Sequence, residues 1–168
     1  MTVLIGYQGI GKSSIASKYS DFVDFESGNF WVDGRRADDW YKPYAQCVLD
    51  LSSQGLNVFT ASHKPYREYI YEINSKREKP EPIYIIHPSI ELKDFWIGKL
   101  QDRYNRSGLD KDYRALMNAK DRYVDNIREL LDDPIPSVVI KDRNYDLVTF
   151  LLENIPNMSF FQRRKNNE

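Results

Sequence analysis

Gly6-Tyr7-Gln8-Gly9-Ile10-Gly11-Lys12-Ser13 is the stretch whose residue types and spacing most directly specify chemistry. It satisfies G-x-x-x-x-G-K-[ST], a loop whose backbone N–H groups curl around an anion. Its glycines permit the backbone turns that bring successive amides to face inward. The amides from Gly9 through Ile10, Gly11, Lys12, Ser13 and Ser14 are therefore expected to cradle nucleotide phosphates. A helix starting near Lys12 would add its positive N-terminal end. Lys12 supplies a mobile full charge to the β- and γ-phosphates, and the Ser13 hydroxyl is a Mg²⁺ ligand. ATP and Mg²⁺ are the cofactors this implies. The plainer alternative is a Gly-rich turn between a strand and a helix. The flanks favour the phosphate loop, because apolar Val3, Leu4 and Ile5 precede it and helix-compatible residues 14–19 follow.

Other candidates are less specific. Asp24 and Glu26 alternate along Phe22-Val23-Asp24-Phe25-Glu26, so both carboxylates point to one side of a strand. Near Ser13 they would bind Mg²⁺ directly or through its water shell; otherwise they are an ordinary polar strand end. Lys99, Arg103 and Arg106 share one helical face just before Ser107-Gly108. Arginines on a mobile helical segment suit closure over the equatorial oxygens of a transferring phosphoryl group. A solvated face paired with Asp102 and Asp110 is the alternative. Arg67, early in a helix after the third strand, is the candidate for an acceptor phosphate held by a bidentate pair. Arg36, and more weakly Arg35, could do the same. His63 and His87 stand near strand ends as ligand contacts or hydrogen-bonded structural residues, and nothing at metal-ligand spacing accompanies them.

These side chains need a scaffold. Short apolar runs alternate with helical patterns along the chain, the signature of βαβ units. Strands are predicted at about 2–6, 22–26, 57–61, 83–86 and 138–140. Helices are predicted at about 12–19, 37–53 with Pro43 near its first turns or kinking it, 65–75 capped by Ser62, 90–106, 113–131 and 146–154. Residues 27–36 and 76–82 read as loops, and the tail from 162 is polar. The result is an α/β chain: a three-layer α/β/α fold around a five-stranded parallel sheet. Ligands of such sheets sit beyond the carboxyl ends of the strands. There the pattern gathers the phosphate loop, Glu26, Ser62-His63, His87 and Asp142-Arg143. Arg143 thereby becomes a candidate nucleotide contact.

Composition bounds the partners. A chain of 168 residues, 41% hydrophobic and 14% aromatic, suits one domain with an ample core. A net charge of −1 gives no global pull toward nucleic acid or anionic membrane. Lone Cys47, in an apolar helical stretch, supports neither a disulfide framework nor a zinc set and is expected to be inert in the core. With no signal peptide and no membrane-length apolar run, the expected setting is the cytoplasm, with no membrane partner.

The Gly6-x-x-Gly9-x-Gly11-Lys12-Ser13 spacing resembles that of small P-loop kinases of the adenylate-kinase and nucleoside-monophosphate-kinase type. Asp24-Phe25-Glu26 is similar to the acidic pair on the second strand of shikimate-kinase-like members. The segment from Ser62 to Arg67 falls where adenylate kinases carry an arginine for the acceptor phosphate. Residues 99–115 resemble their arginine-bearing lid. The chain also resembles small nucleotide kinases of bacteriophages, which would place it in the host cytoplasm. The resemblance implies a P-loop NTPase fold with a short helical lid, in a single kinase domain over 1–168. It departs from the pattern at Val58-Phe59-Thr60-Ala61, which carries no aspartate, so the metal-ligand role moves to Asp24 and Glu26.

The leading expectation is ATP-dependent phosphoryl transfer to a nucleoside or deoxynucleoside monophosphate. Lys12, Arg103 and Arg106 would be catalytic, with Glu26, Arg36, His63 and Arg67 around the acceptor. An already anionic acceptor oxygen needs no general base. The alternative is a hydroxyl acceptor, on a small metabolite or on a modified DNA base such as 5-hydroxymethyluracil. Asp24 or Glu26 is then the base. The charge balance disfavours nucleic acid, while Phe30, Trp31, Trp40, Tyr41 and Tyr44 offer either a stacking surface or helix packing. A third reading is a nucleotide-binding switch, although no N-K-x-D sequence marks guanine recognition. Either a monomer or a homodimer fits.

Overall fold

A computed structural model describes residues 1–158, and the polar tail expected from residue 162 lies outside them. The chain begins with β1 (Val3–Gly6), α1 (Lys12–Lys18) and β2 (Phe22–Asp24). A 3₁₀ turn (Ser27–Phe30), the short strands β3 (Trp31–Val32) and β4 (Arg35–Arg36), and α2 (Tyr41–Ser53) follow. Then come β5 (Asn57–Thr60), α3 (Lys64–Ser75), β6 (Ile83–Pro88), α4 (Lys93–Ser107) and α5 (Asp110–Leu131). The chain closes with β7 (Ser137–Ile140) and α6 (Leu147–Asn154).

Five strands form one parallel sheet in the order β2-β5-β1-β6-β7. β1 is central and all four of its residues are buried, as expected of a parallel strand covered on both faces. Val3 aligns with Val58 on one side and Ile83 on the other. Helices flank the sheet: α1 packs on β2, α2 on β5 and β1, and α5 on β6. This is the three-layer α/β arrangement read from the sequence. It matters because β1, β2 and β5 end side by side, so their loops converge on one edge. Among the described residues no helix is long and apolar enough to cross a membrane.

Several local expectations change. Residues 27–36 are not an open loop but a 3₁₀ turn and a hairpin, reversed at Asp33-Gly34 with φ 51° and 76°. α2 starts at Tyr41, so Pro43 falls in its first turn, where a missing N–H breaks no helical bond. Ser62 does not cap α3; His63 occupies that position without a side-chain capping bond. His87 and Pro88 lie within β6, not beyond it. Cys47 is exposed, because the buried face of α2 is Tyr44, Ala45, Val48, Leu49 and Ser52.

Candidate active site

The phosphate loop joins β1 to α1 and is shaped by two glycines in the left-handed region, Gly9 at φ 84° and Gly11 at φ 107°. Its outward carbonyls are occupied. Trp96 Nε1 donates to Gln8 O and the Tyr145 hydroxyl donates to Ile10 O, both at 2.8 Å. Gln8 Nε2 in turn donates to Ala115 O at 3.0 Å. Meanwhile the amides of Gly9, Ile10 and Gly11 meet no acceptor among the described residues. Buried amides require partners, so this polarity suits an anion on the concave side.

Lys12 curls back over its own loop, with Nζ 3.3 Å from Gly6 O and 3.4 Å from Thr60 O. These contacts are long. Burial lowers its pKa, and the nearby charges of Asp24 and Glu26 oppose that shift. A half-buried ammonium held only by weak dipoles gains most when a phosphate arrives.

A cavity of about 460 Å³ opens in front of the loop, lined by Lys12, Ser13, Asp24, Glu26, Arg103 and Arg106. The fold thus brings together the residues expected to be catalytic or metal-binding. Asp24 ends β2, and its pKa is raised, mainly by burial and against the pull of Lys12. Glu26 is exposed, 3.9 Å from Lys111 Nζ. Ser13, Asp24 and Glu26 line this cavity along with Asp112, whose carboxylate is taken up by Arg103 and Ser107, while no group of three or more His, Cys, Asp or Glu side chains is suited to a metal among the described residues. Such a donor set fits Mg²⁺, which keeps several waters and leans on substrate phosphates.

The segment expected to form a lid belongs to a hairpin of α4 and α5. It is docked, not loose. Trp96 and Leu100 of α4 lie so near Gly9 that a Cβ there would stand 3.3 Å from Trp96 Nε1 and 3.1 Å from Leu100 Cδ2. Arg103 Nε donates at 2.8 Å to Asp112, a buried carboxylate that also accepts from Ser107. That partner replaces the Asp102 and Asp110 expected from local spacing. Among the described residues Arg106 makes only a 3.4 Å contact with Asp102 O. Lys99 Nζ lies 2.8 Å from the Tyr145 hydroxyl and 4.5 Å from the Trp96 ring centroid.

A second cavity, of about 720 Å³, adjoins the other side of α1 and is lined by Ser14, Phe95, Lys99, Arg143 and Tyr145 among others. Arg143 reaches within 5.9 Å of the Phe95 ring centroid. A third, of about 460 Å³, lies between Lys12, Asp24 and the β3–β4 hairpin. There Arg36 Nη2 donates to Ser27 Oγ at 2.8 Å and to His63 Nε2 at 3.2 Å. Burial, then the charges of Arg36, Lys12 and Arg67, bring the His63 pKa down to about 4. His63 is therefore neutral and positions Arg36. Because its folded pKa lies below the ordinary 6.5, this stabilisation is complete above pH 6.5 and lost as pH falls toward 4. The fall in Tm over that window, followed by circular dichroism, is expected to be shallower in His63→Gln.

Arg67, expected at the acceptor, and His87, read as either ligand contact or structural residue, are both engaged in structural contacts. Arg67 is 2% exposed, and its guanidinium is consumed by Asp133 and Glu129, each at 2.8 Å, and by the Ser62 carbonyl. It ties α3 to the end of α5, and these partners already engage the guanidinium where it borders the cavity beside His63. His87 is fully buried, with Nδ1 donating to Pro88 O at 2.8 Å. Conversely, Lys111 and Arg114 line this third cavity beside Trp31, and the sequence reading assigns neither of them there. The signal available was the i, i+3 spacing of Lys111 and Arg114 just after the Gly108 reversal.

Comparison with known proteins agrees with this architecture. No family model matches the chain. The crystal structure of a gluconokinase from Sinorhizobium meliloti 1021 has the same fold, with a TM-score of 0.50 over 90% of this chain and 87% of that one, at 16% identity. The likeness is one of fold, the α/β arrangement around a five-stranded parallel sheet. An ATP-dependent lipid A-core flippase from Aliivibrio fischeri is 36% identical over 56 residues, 33% of this chain. That match spans only 10% of the flippase.

Proposed function

We propose that this protein transfers the γ-phosphoryl group of ATP to an acceptor seated between Lys12 and the β3–β4 hairpin. The observation that carries the proposal is that Lys12 lines both cavities in front of the loop. It stands where a donor's terminal phosphate and an acceptor would meet. The cavity beside Phe95 and Arg143 supports a flat nucleotide base there. Ser13 and the solvent-open Glu26 would hold Mg²⁺, which offsets charge on the donor phosphates.

The acceptor best supported is a hydroxyl. Asp24 sits at the junction of the two cavities with its pKa raised by burial, the setting of a general base. The acceptor oxygen would attack the γ-phosphorus while the bond to the β–γ bridging oxygen breaks. ADP leaves, and the hydroxyl proton passes to Asp24. Arg103 and Arg106 would stabilise charge on the phosphoryl oxygens.

A nucleoside monophosphate is the second reading, favoured by Arg36 and Arg114 on the acceptor side. Its phosphate oxygen needs no base. Asp24→Asn separates the two. For a hydroxyl acceptor, kcat is expected to fall by about 10²–10⁴-fold. The rate of the parent protein should rise with pH through an Asp24 pKa above the ordinary 3.8, and this acid limb should vanish in the variant. A loss below tenfold with the limb intact would instead favour the monophosphate.

A further inference from the structure

Arg36, Trp31 and Arg114 form a row that donor-phosphate chemistry does not use. The Arg36 guanidinium carbon lies 4.4 Å from the Trp40 ring centroid and 5.7 Å from that of Trp31. Arg114 approaches Trp31 at 5.7 Å as well. Two guanidinium groups thus share one indole. Arg67 and Arg103 are each neutralised by carboxylates at 2.8 Å, but no carboxylate pairs with Arg36 or Arg114 among the described residues. Arg36 Nε is also buried with no hydrogen-bond partner. An unneutralised arginine pair beside a cavity is matched to an anion with several oxygens.

Position sets what that anion can be. The row lines the cavity that contains Lys12 and Asp24. It also lines an adjoining cavity of about 540 Å³, together with Arg35 and Lys111. Lys12 and Asp24 do not line this second space. The cations therefore border space beyond that lined by Lys12 and Asp24, which leaves room for an anionic group other than the one transferred.

We infer that the acceptor carries a phosphate-ester group distinct from the oxygen it offers for phosphorylation, and that Arg36 and Arg114, spaced by Trp31, bind it. This rests on the phosphotransferase reading and narrows it to hydroxyl-bearing phosphate esters. A small phosphomonoester and a phosphodiester within a strand present the same anionic oxygens. They are distinguished by the ligands used in the test.

Calorimetry on protein saturated with Mg²⁺ and the β,γ-imido analogue of ATP tests it, with inorganic phosphate, thymidine, thymidine monophosphate and a short oligothymidylate as titrants. Phosphate is expected to bind saturably and at least tenfold more weakly to Arg114→Gln. The monophosphate or the oligonucleotide should bind at least tenfold more tightly than thymidine, with that preference lost in the variant. Whichever binds more tightly identifies the form of the ester. Because Arg114 is exposed, the substitution removes no core contact. Arg114→Lys, which keeps the charge, should recover part of the phosphate binding. No phosphate binding by the parent protein, or equal binding by Arg114→Gln, would overturn the inference. Loss of analogue binding alone would strike at the donor site instead, and phosphate titration of the free protein would still judge the clamp.

Discussion

Lys12→Ala is expected to lower phosphoryl transfer by roughly 10³-fold or more, about 4 kcal/mol of lost transition-state stabilisation, without loss of the fold. The magnitude follows from what surrounds the ammonium. It touches only two carbonyls, at 3.3 and 3.4 Å, and no carboxylate lies within ion-pair distance among the described residues. Its charge is disfavoured by burial in the free protein, as its lowered pKa records. Removing it costs little structure and should leave Tm unchanged or slightly raised, the usual relation at sites kept strained for function. Rates of acceptor-dependent ADP release, set beside thermal denaturation followed by circular dichroism, check both halves. A variant with a much lower Tm would mean that Lys12 holds the loop together.

Arg67→Ala should do the reverse. The guanidinium satisfies Asp133 and Glu129 at once, and Asp133 is only 7% exposed. Removing one partner of a buried pair leaves an uncompensated charge, at a cost of about 3–5 kcal/mol. For a chain of this length that corresponds to a fall in Tm of roughly 10 °C. Below the transition, the acceptor KM of the folded protein should be close to that of the parent. Were Arg67 instead the ligand of an acceptor phosphate, KM would rise many-fold while Tm barely moved. Chemical denaturation with steady-state kinetics on the same preparation distinguishes the two.

The contrast between these arginines explains what the chain discloses locally. The phosphate loop is legible because its chemistry is written in consecutive residues, and the strands flanking it because apolar runs mark a doubly covered sheet. Arg67 is opaque for the opposite reason. Its partners Glu129 and Asp133 lie far away in sequence, and nothing local says they will neutralise it. Arg103 likewise meets Asp112 only because the chain reverses at Gly108, whose φ is 61°.

Other differences had a local signal that a stronger impression obscured. Asp33-Gly34 is a hairpin dipeptide, and both residues do take positive φ. The polar character of 27–36 hid it, and with it the platform that carries Trp31 and Arg36 to the cavity shared with Lys12 and Asp24. His87 is polar and precedes a proline, yet β6 continues through it because Pro88 still aligns with Ile140 of β7. Cys47 lies among apolar neighbours in sequence but off the stripe that α2 presents to β5. The α4–α5 hairpin is docked through a side-chain bond from Trp96 to the Gln8 carbonyl, and through Lys99 to Tyr145, which itself bonds the Ile10 carbonyl; no spacing rule supplies these.

The most direct test of the donor site is an isothermal titration of the protein with Mg²⁺ and the β,γ-imido analogue of ATP, run in parallel on Lys12→Ala. One saturable site, weakened at least tenfold by the substitution, is the expected result. No saturable heat at millimolar analogue, or identical isotherms for the two proteins, would contradict a phosphate loop that grips a nucleotide.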